Sequence, residues 1–371
     1  MSKILCHELS PPLISLVSVV ILRILPKDPQ NDFAKRGDTR SKMLKVTKAG
    51  YHGIILPELG IGLDYSGTKA EHIFISHAHA DHVPRNKKLS VYATPPTAKL
   101  MKLRGFGGEV KPLEFKQTLE TDTAKITLYP AGHILGSAMT FVESYLGNLL
   151  YTGDYRTPSA PATEGFELPD AVIDTFITEA TFSLPIYKWK PEEELAEQIR
   201  NFATRNLEDG YTPIFTAYNL GKAQELMYIL KELNHPMQIH GAGFKLCSVY
   251  EDFGFPLGDY ETYQRENCEG KILITPVSAL GNGFASNVKK KRIAYCSGWA
   301  ANESRQTQLA VDELIPLSDH LDFFELIDLC KKLHPKKILI THTPNPKVVQ
   351  HYLDELGIVS GFLDLEAGDH E

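Results

Sequence analysis

Cysteine is scarce and scattered in this sequence. The five thiols, Cys6, Cys247, Cys268, Cys296 and Cys330, are odd in number and form no Cys-x-x-Cys pair. That argues against a disulfide framework and against a cysteine zinc site, and it fits a reducing cytoplasm. A membrane-length apolar run is also missing. Leu13–Leu22 (LISLVSVVIL) has ten residues, too few to span a bilayer. Only Lys3 precedes it as a positive flank and no A-x-A-like site follows, so it makes a poor signal peptide. Residues 1–42 are expected to lie outside the fold, with a weak anchor as the rival reading and no stable membrane association. An excess of positive charge is lacking too, since the net charge is −7. A chain of this balance does not point to nucleic acid as a basic one does. A local basic groove is still compatible with a negative total. There is no internal repeat and no low-complexity tract.

What is present is enough apolar residue, 43% of 371 positions, for a sizeable core and for more than one ordinary domain. Short apolar runs bounded by turn residues predict strands at Gly53–Leu56, Ile61–Leu63, His72–Ser76, Val91–Ala93, Ile126–Tyr129 and Leu149–Thr152. Pro96–Leu103 has helical spacing. After Pro191 the pattern changes. Helical periodicity over Glu192–Glu208 precedes alternating strands (Thr212–Ala217, Met237–His240, Ile272–Thr275, Ile293–Cys296) and helices (Gly221–Leu233, Lys245–Phe253). Such alternation predicts a parallel α/β sheet. Asp322–Leu333 and Pro346–Leu356 read as helices flanking a strand at Ile338–Thr341.

One stretch stands apart. FISHAHADHV (Phe74–Val83) holds His77, His79, Asp81 and His82 within six residues. In an extended backbone His77 and His79 aim to the same side, and Asp81 and His82 follow where a helix is expected to begin. Imidazole and carboxylate together suit zinc-like ions. Further candidates stand at strand ends, where functional loops usually lie. They are Asp64 in GIGLDYSG, His133 in PAGHILGSA and Asp154 in LLYTGDY.

The combination of His-x-His-x-Asp-His with His133 and Asp154 resembles the metallo-β-lactamase superfamily. The resemblance implies that His77, His79 and His133 hold one divalent ion. Asp81 and His82 would hold a second, Asp154 would bridge, and Asp64 would orient the histidines from behind. Activation of water between two ions, zinc or manganese, is the implied chemistry, with Asp81 among the catalytic groups.

Three later motifs narrow the resemblance. Glu179 in FITEATF, His320 in PLSDHLDFFEL and His342 in ILITHTPNP look like those of the β-CASP nucleases. That pattern gives His342 to the second ion. His320 would protonate a leaving oxygen, with Glu179 orienting it and holding it charged. The stretches TFITEATFSLPIYKWKP, FTAYNLGKAQEL, IHGAGFKL and SGWAANESRQTQLAVDELIPLSDH resemble bacterial ligase-associated DNA exonucleases, across roughly Leu44 to Leu363. Thr343-Pro344 departs from the usual glycine after the histidine.

The expected fold is therefore α/β, a metallo-β-lactamase αββα sandwich (43–183 and 312–371) with an inserted β-CASP α/β domain (184–311). The expected activity is a metal-dependent nuclease, first a DNA exonuclease on single strands or ends in repair, then an RNA-processing nuclease. A small-molecule hydrolase and an inactive nucleic-acid-binding subunit are the rivals. Nucleic acid is the expected partner, and a DNA ligase and a helicase are partners the resemblance suggests. Three details stay open at this level. Asn219, Gly221 and Lys222 either cradle a phosphate at a helix start or form a plain turn. Tyr187–Lys190 either stack on a strand or pack between domains. Ser318 or Asp319 is expected to cap the helix after His320. His52, His72, His235, His334, His351 and His370 carry no motif, and His240 reads as structural.

Overall fold

A computed structural model describes residues 44–50 and 52–363. The expectation for residues 1–42 falls outside that range.

The chain first builds a six-stranded sheet in sequence order. Its strands are β1 (Thr47–Ala49), β2 (Gly53–Leu56), β3 (Ile61–Leu63), β4 (His72–Phe74), β5 (Ser90–Ala93) and, after helix α1 (Pro95–Leu103), β6 (Glu109–Pro112). It then forms β7 (Thr118–Glu120), β8 (Ala124–Pro130), β9 (Ala138–Ser144), β10 (Leu149–Tyr151) and β11 (Thr175–Thr178) of a second sheet. Next come α2 (Glu192–Glu208), β12 (Thr212–Thr216), α3 (Lys222–Leu230), β13 (Met237–Ile239), α4 (Gly241–Asp252), β14 (Tyr260–Thr262), β15 (Ile272–Thr275), α5 (Val277–Gly281), β16 (Lys291–Cys296), α6 (Ser304–Leu309) and β17 (Glu313–Ile315). These six strands make a third, all-parallel sheet of order β14-β13-β15-β12-β16-β17. The chain returns through α7 (Phe323–Leu333), β18 (Lys337–Ile340), α8 (Pro346–Glu355) and β19 (Ser360–Phe362). That return completes the second sheet in the order β19-β18-β11-β10-β9-β8-β7.

Side chains alternate across the strands and so assign the layers. Ile54, Leu56 and Phe74 of the first sheet share a buried cluster with Ile126, Leu128, Tyr151 and Ile177 of the second. Their strand neighbours point the other way. Ile55, Ile73 and Val91 pack with Leu100 and Met101 of α1. Leu150, Phe176, Ile338 and Ile340 pack with Leu326 and Ile327 of α7 and with Val349 and Leu353 of α8. The result is helix, sheet, sheet, helix, the αββα sandwich expected. Each such side chain taken out of water contributes about 1.5–3 kcal/mol, which makes the alternation decisive over weak local propensities. The third sheet is covered on both faces, as parallel sheets are. Every residue of β12 and β15 is buried.

Most strands and helices stand where the sequence pattern put them. The strands β1, β6, β7, β9, β14, β17 and β19 were not expected. Among them β9 (AMTFVES) is buried on both faces over its first five residues, so it has no alternation to read. Helix α4 starts at Gly241 rather than Lys245, with His240 as its N-cap, its ring accepting from the Ala242 N–H at 3.3 Å. Helix α7 is capped by neither Ser318 nor Asp319. Asp322 is the N-cap, in a reciprocal capping box with Glu325.

Candidate metal centre

The candidate ligands lie on loops that leave strand ends. The turn after β4 carries His77, His79, Asp81 and His82. The loop after β8 carries His133, and the end of β10 leads through Thr152-Gly153 to Asp154. No helix begins at Asp81. The N–H groups of His82 and Val83 donate to the His79 carbonyl at 3.1 and 3.2 Å, and Pro84 disfavours helical backbone at Val83. The tight turn leaves the Asp81 side chain 54% exposed and the His82 ring 2% exposed. Gly153 is needed where it stands. Its φ is +57°, and a Cβ there would meet the Ser76 Cβ at 2.4 Å.

Asp64 sits behind this turn, itself in left-handed backbone with φ 47°. Its carboxylate accepts from the Ser76 N–H and Oγ–H, the His82 Nδ1–H and the Tyr151 hydroxyl, each at 2.7 Å. The Ser76 proton is committed to Asp64, so His77 Nδ1–H donates to Ser76 Oγ at 2.9 Å. Two other rings are set by carbonyls. His79 Nε2–H donates to the Leu220 carbonyl at 3.2 Å, and His133 Nδ1–H donates to the Asp319 carbonyl at 2.8 Å. Carbonyls only accept, so the opposite nitrogen of each ring carries the lone pair.

Those lone pairs converge. His79 Nδ1 lies 3.1 Å from His77 Nε2 and 3.1 Å from His133 Nε2. Acceptors facing one another without a proton repel, unless a cation stands among them. Tetrahedral ligation at ~2.0–2.1 Å puts neighbouring nitrogens ~3.3 Å apart, close to the spacing found. Burial pushes the pKa of His77 well down, that of His79 down and that of His133 down to about 3, so all three present neutral imidazole. Asp154 Oδ2 lies 3.6 Å from His77 Nε2, 3.5 Å from His82 Nε2 and 3.9 Å from His133 Nε2. His82 Nε2 is buried and makes no hydrogen bond among the described residues. The donor set therefore fits divalent metal. Ligand atoms of His77, His79, His133 and Asp154 lie within 4.8 Å of one another, and so do those of His52, Asp81 and His82.

Two carboxylates dominate around the second group. Burial alone would lower the His82 pKa, but Asp154 and Asp64 outweigh it and raise it well above its ordinary value. The His52 ring at 3.3 Å holds the Asp81 carboxyl well below the usual carboxylate range. His342 lines a small pocket with His52, His82, Tyr151 and Asp154, and its ring stacks on His52 with centroids 4.7 Å apart.

A charged pair flanks the cluster. Glu179, at the end of β11, is 2% exposed, and its Oε1 accepts from His320 Nδ1–H at 2.7 Å. Its other oxygen takes the Thr181 N–H and hydroxyl. Burial opposes charge on His320, but Glu179, then Asp319 and Asp154, raise its pKa to about 10. The His320 ring centroid is 4.9 Å from that of His133.

Sequence reasoning missed several residues here. His52 was read as carrying no motif, since a lone histidine in a turn has no spacing partner. Lys222 is no exposed phosphate ligand. Its side chain is 2% exposed and pairs with Asp319 at 2.8 Å. Arg156 binds Glu225 of α3 at 2.8 Å and Glu192 of α2 at 2.9 Å. These ions tie the third-sheet region to the sandwich beside the cluster. Tyr187 and Trp189 pack with Phe182 and Trp299, and Trp189 Nε1–H donates to the His320 carbonyl at 2.9 Å. Arg292 pairs with Asp312 at 2.8 Å.

No family model matches the chain. It is 33% identical over 294 residues to "Probable DNA ligase" of Opitutus terrae, covering 78% of this chain and 28% of that relative. It is 29% identical over 191 residues to "Endoribonuclease ysh1" of Schizosaccharomyces pombe, covering 43% and 25%. It is 28% identical over 179 residues to "RNase J-like protein" of Methanocaldococcus jannaschii, covering 43% and 42%. The matched region thus spans less than half of each relative. With the αββα sandwich and the clustered histidines, these likenesses place the chain in the metallo-β-lactamase superfamily, in its β-CASP nuclease branch.

Proposed function

We propose that the protein is a metal-dependent nuclease that hydrolyses phosphodiester bonds, acting first on single-stranded DNA or DNA ends. The observation that carries this is the His320–Glu179 pair, 2.7 Å apart, set against the histidine cluster. A small-molecule hydrolase of this fold needs no such second proton donor. His77, His79 and His133 would hold one ion, Asp81, His82 and His342 a second, with Asp154 between them. Two divalent ions, zinc or manganese, supply Lewis-acid polarisation of a phosphoryl group and acidify water at neutral pH.

The chain's own residues do the rest. Asp64 and Ser76 fix the His77 and His82 rings. His320, charged below about pH 10, gives its Nε2 proton to the leaving oxygen. Glu179 fixes the ring orientation and stabilises the imidazolium. The insertion is proposed to run from about residue 184 through β17, a few residues beyond the 311 expected, because β17 (Glu313–Ile315) pairs with β16. Arg156, Lys222 and their partners would hold it over the cluster.

RNA is the second reading, supported by the relatives named as an endoribonuclease and an RNase J-like protein. A DNA ligase as functional partner rests on the relative so named. A cytoplasmic location fits the described cysteines, Cys247, Cys268, Cys296 and Cys330, all free and buried. Among the described residues no helix is long and apolar enough to cross a membrane. The test is a panel of 5′- and 3′-labelled single-stranded DNA and RNA with manganese or zinc, using the wild type, His79→Ala and His320→Ala. Degradation by the wild type, abolished in His79→Ala and slowed about 10²- to 10⁴-fold in His320→Ala, is expected. No cleavage of either polymer with any metal would sink the nuclease reading.

A further inference from the structure

We propose that His52 is a ligand of the second metal position, an imidazole supplied by the first hairpin of the sandwich. The inference rests on the two-metal reading above and extends it to a residue outside every motif. His52 stands between β1 and β2. Gly53 pairs with Ala49 across this hairpin, and a Cβ at 53 would meet the Ala49 carbonyl oxygen at 2.3 Å. The His52 imidazole is directed inward, with the side chain 5% exposed. Its Nε2 lies 3.3 Å from Asp81 Oδ2. Its ring lies tilted by 30° against His82 with centroids 4.2 Å apart, and it stacks on His342 at 4.7 Å and 27°. His52, Asp81 and His82 each offer a ligand atom within 4.8 Å of the others.

As a ligand set, one carboxylate and two imidazoles are what a zinc-like or manganese-like ion takes. His52 would thus stand in the second position alongside Asp81, His82 and the neighbouring His342.

Metal binding tests this without recourse to activity. Metal-free protein is titrated with Mn(II) and Zn(II) by equilibrium dialysis with elemental analysis. The wild type is expected to take up two ions. His52→Ala and His52→Gln are expected to lose one of them or to bind it at least ~10-fold more weakly, with the other unchanged. His52→Asp, which supplies an anionic carboxylate donor in place of the imidazole, is expected to recover part of the loss. Thermal melting of the metal-free forms separates a lost ligand from a lost fold. Should His52→Ala fail to fold, weaker binding in His52→Gln than in His52→Asp carries the same meaning. Two ions at wild-type affinity in His52→Gln would overturn the proposal and leave the two-metal reading standing. Fewer than two ions in the wild type would overturn both.

Discussion

Around His77, His79 and His133 every ring has a fixed partner on the side away from the cluster: the Ser76 hydroxyl, the Leu220 carbonyl and the Asp319 carbonyl. Around His52, Asp81 and His82 the ring of His82 is fastened to Asp64 at 2.7 Å, while the Asp81 side chain stands 54% in solvent. The first group is buried, rich in imidazole and locked in tautomer before any ion arrives. The second is open on one side and carries an exposed carboxylate. Preorganised ligands lose little freedom on binding, so the first position should bind more tightly and exchange more slowly. The difference also follows the chain. Leu220 belongs to the third-sheet region and Asp319 to the return segment, so the first group is completed only when distant parts of the sequence have packed.

The largest effect is expected from breaking the one residue both groups approach. Asp154→Ala should bring nuclease activity below detection and remove one ion, measured by cleavage assay and metal analysis. His320→Ala should leave both ions in place and lower kcat about 10²- to 10⁴-fold, the usual worth of a positioned acid. A variant that lost metal as well would place His320 in the ligand set instead. Asp64→Asn should weaken binding of the second ion more than the first, by about 10- to 100-fold. Equal weakening would erase the contrast between the two groups. The smallest effect concerns pH. The His320 pKa is raised to about 10, so the acid form persists from neutral pH to about 9. The rate should then fall as pH rises through about 10. Glu179→Gln removes the foremost of the contacts that raise this pKa, so the basic limb of the kcat profile should move to lower pH by more than one unit. An unmoved limb would mean that the descending limb does not report His320.

Much of the fold was legible because its signals are local. Gly53–Leu56 and Glu192–Glu208 are a short run bounded by turn residues and a periodic helix, and they form as read; the strands expected at Thr212–Ala217 and Ile338–Thr341 form over Thr212–Thr216 and Lys337–Ile340. Edge strands such as β7 and β19, three residues each, left no signal. Their pairing comes from a neighbouring strand rather than from their own pattern. The helix cap moved to Asp322 because the reciprocal bond with Glu325 outweighs a lone serine or aspartate upstream. Lys222 looked like a phosphate ligand because a helix start with glycine and lysine suits one. Burial against Asp319, from a loop about a hundred residues away, gave it another partner.

The amino-acid sequence alone determined the class of chemistry. Three histidines and an aspartate in six residues, with strand-end His133 and Asp154, declare their ligand character through residue type and spacing. The strand-helix alternation after Pro191 is equally local, and it implied the parallel sheet. Tertiary structure decided which nitrogen of each ring faces the cluster, that Glu179 meets His320 across 141 residues, and that His52 joins Asp81 and His82. Spacing in a sequence reports only what lies within a turn or a strand. Hydrogen-bond partners such as the Leu220 and Asp319 carbonyls, and a ring brought in by the first hairpin, are set by packing between segments far apart in the chain.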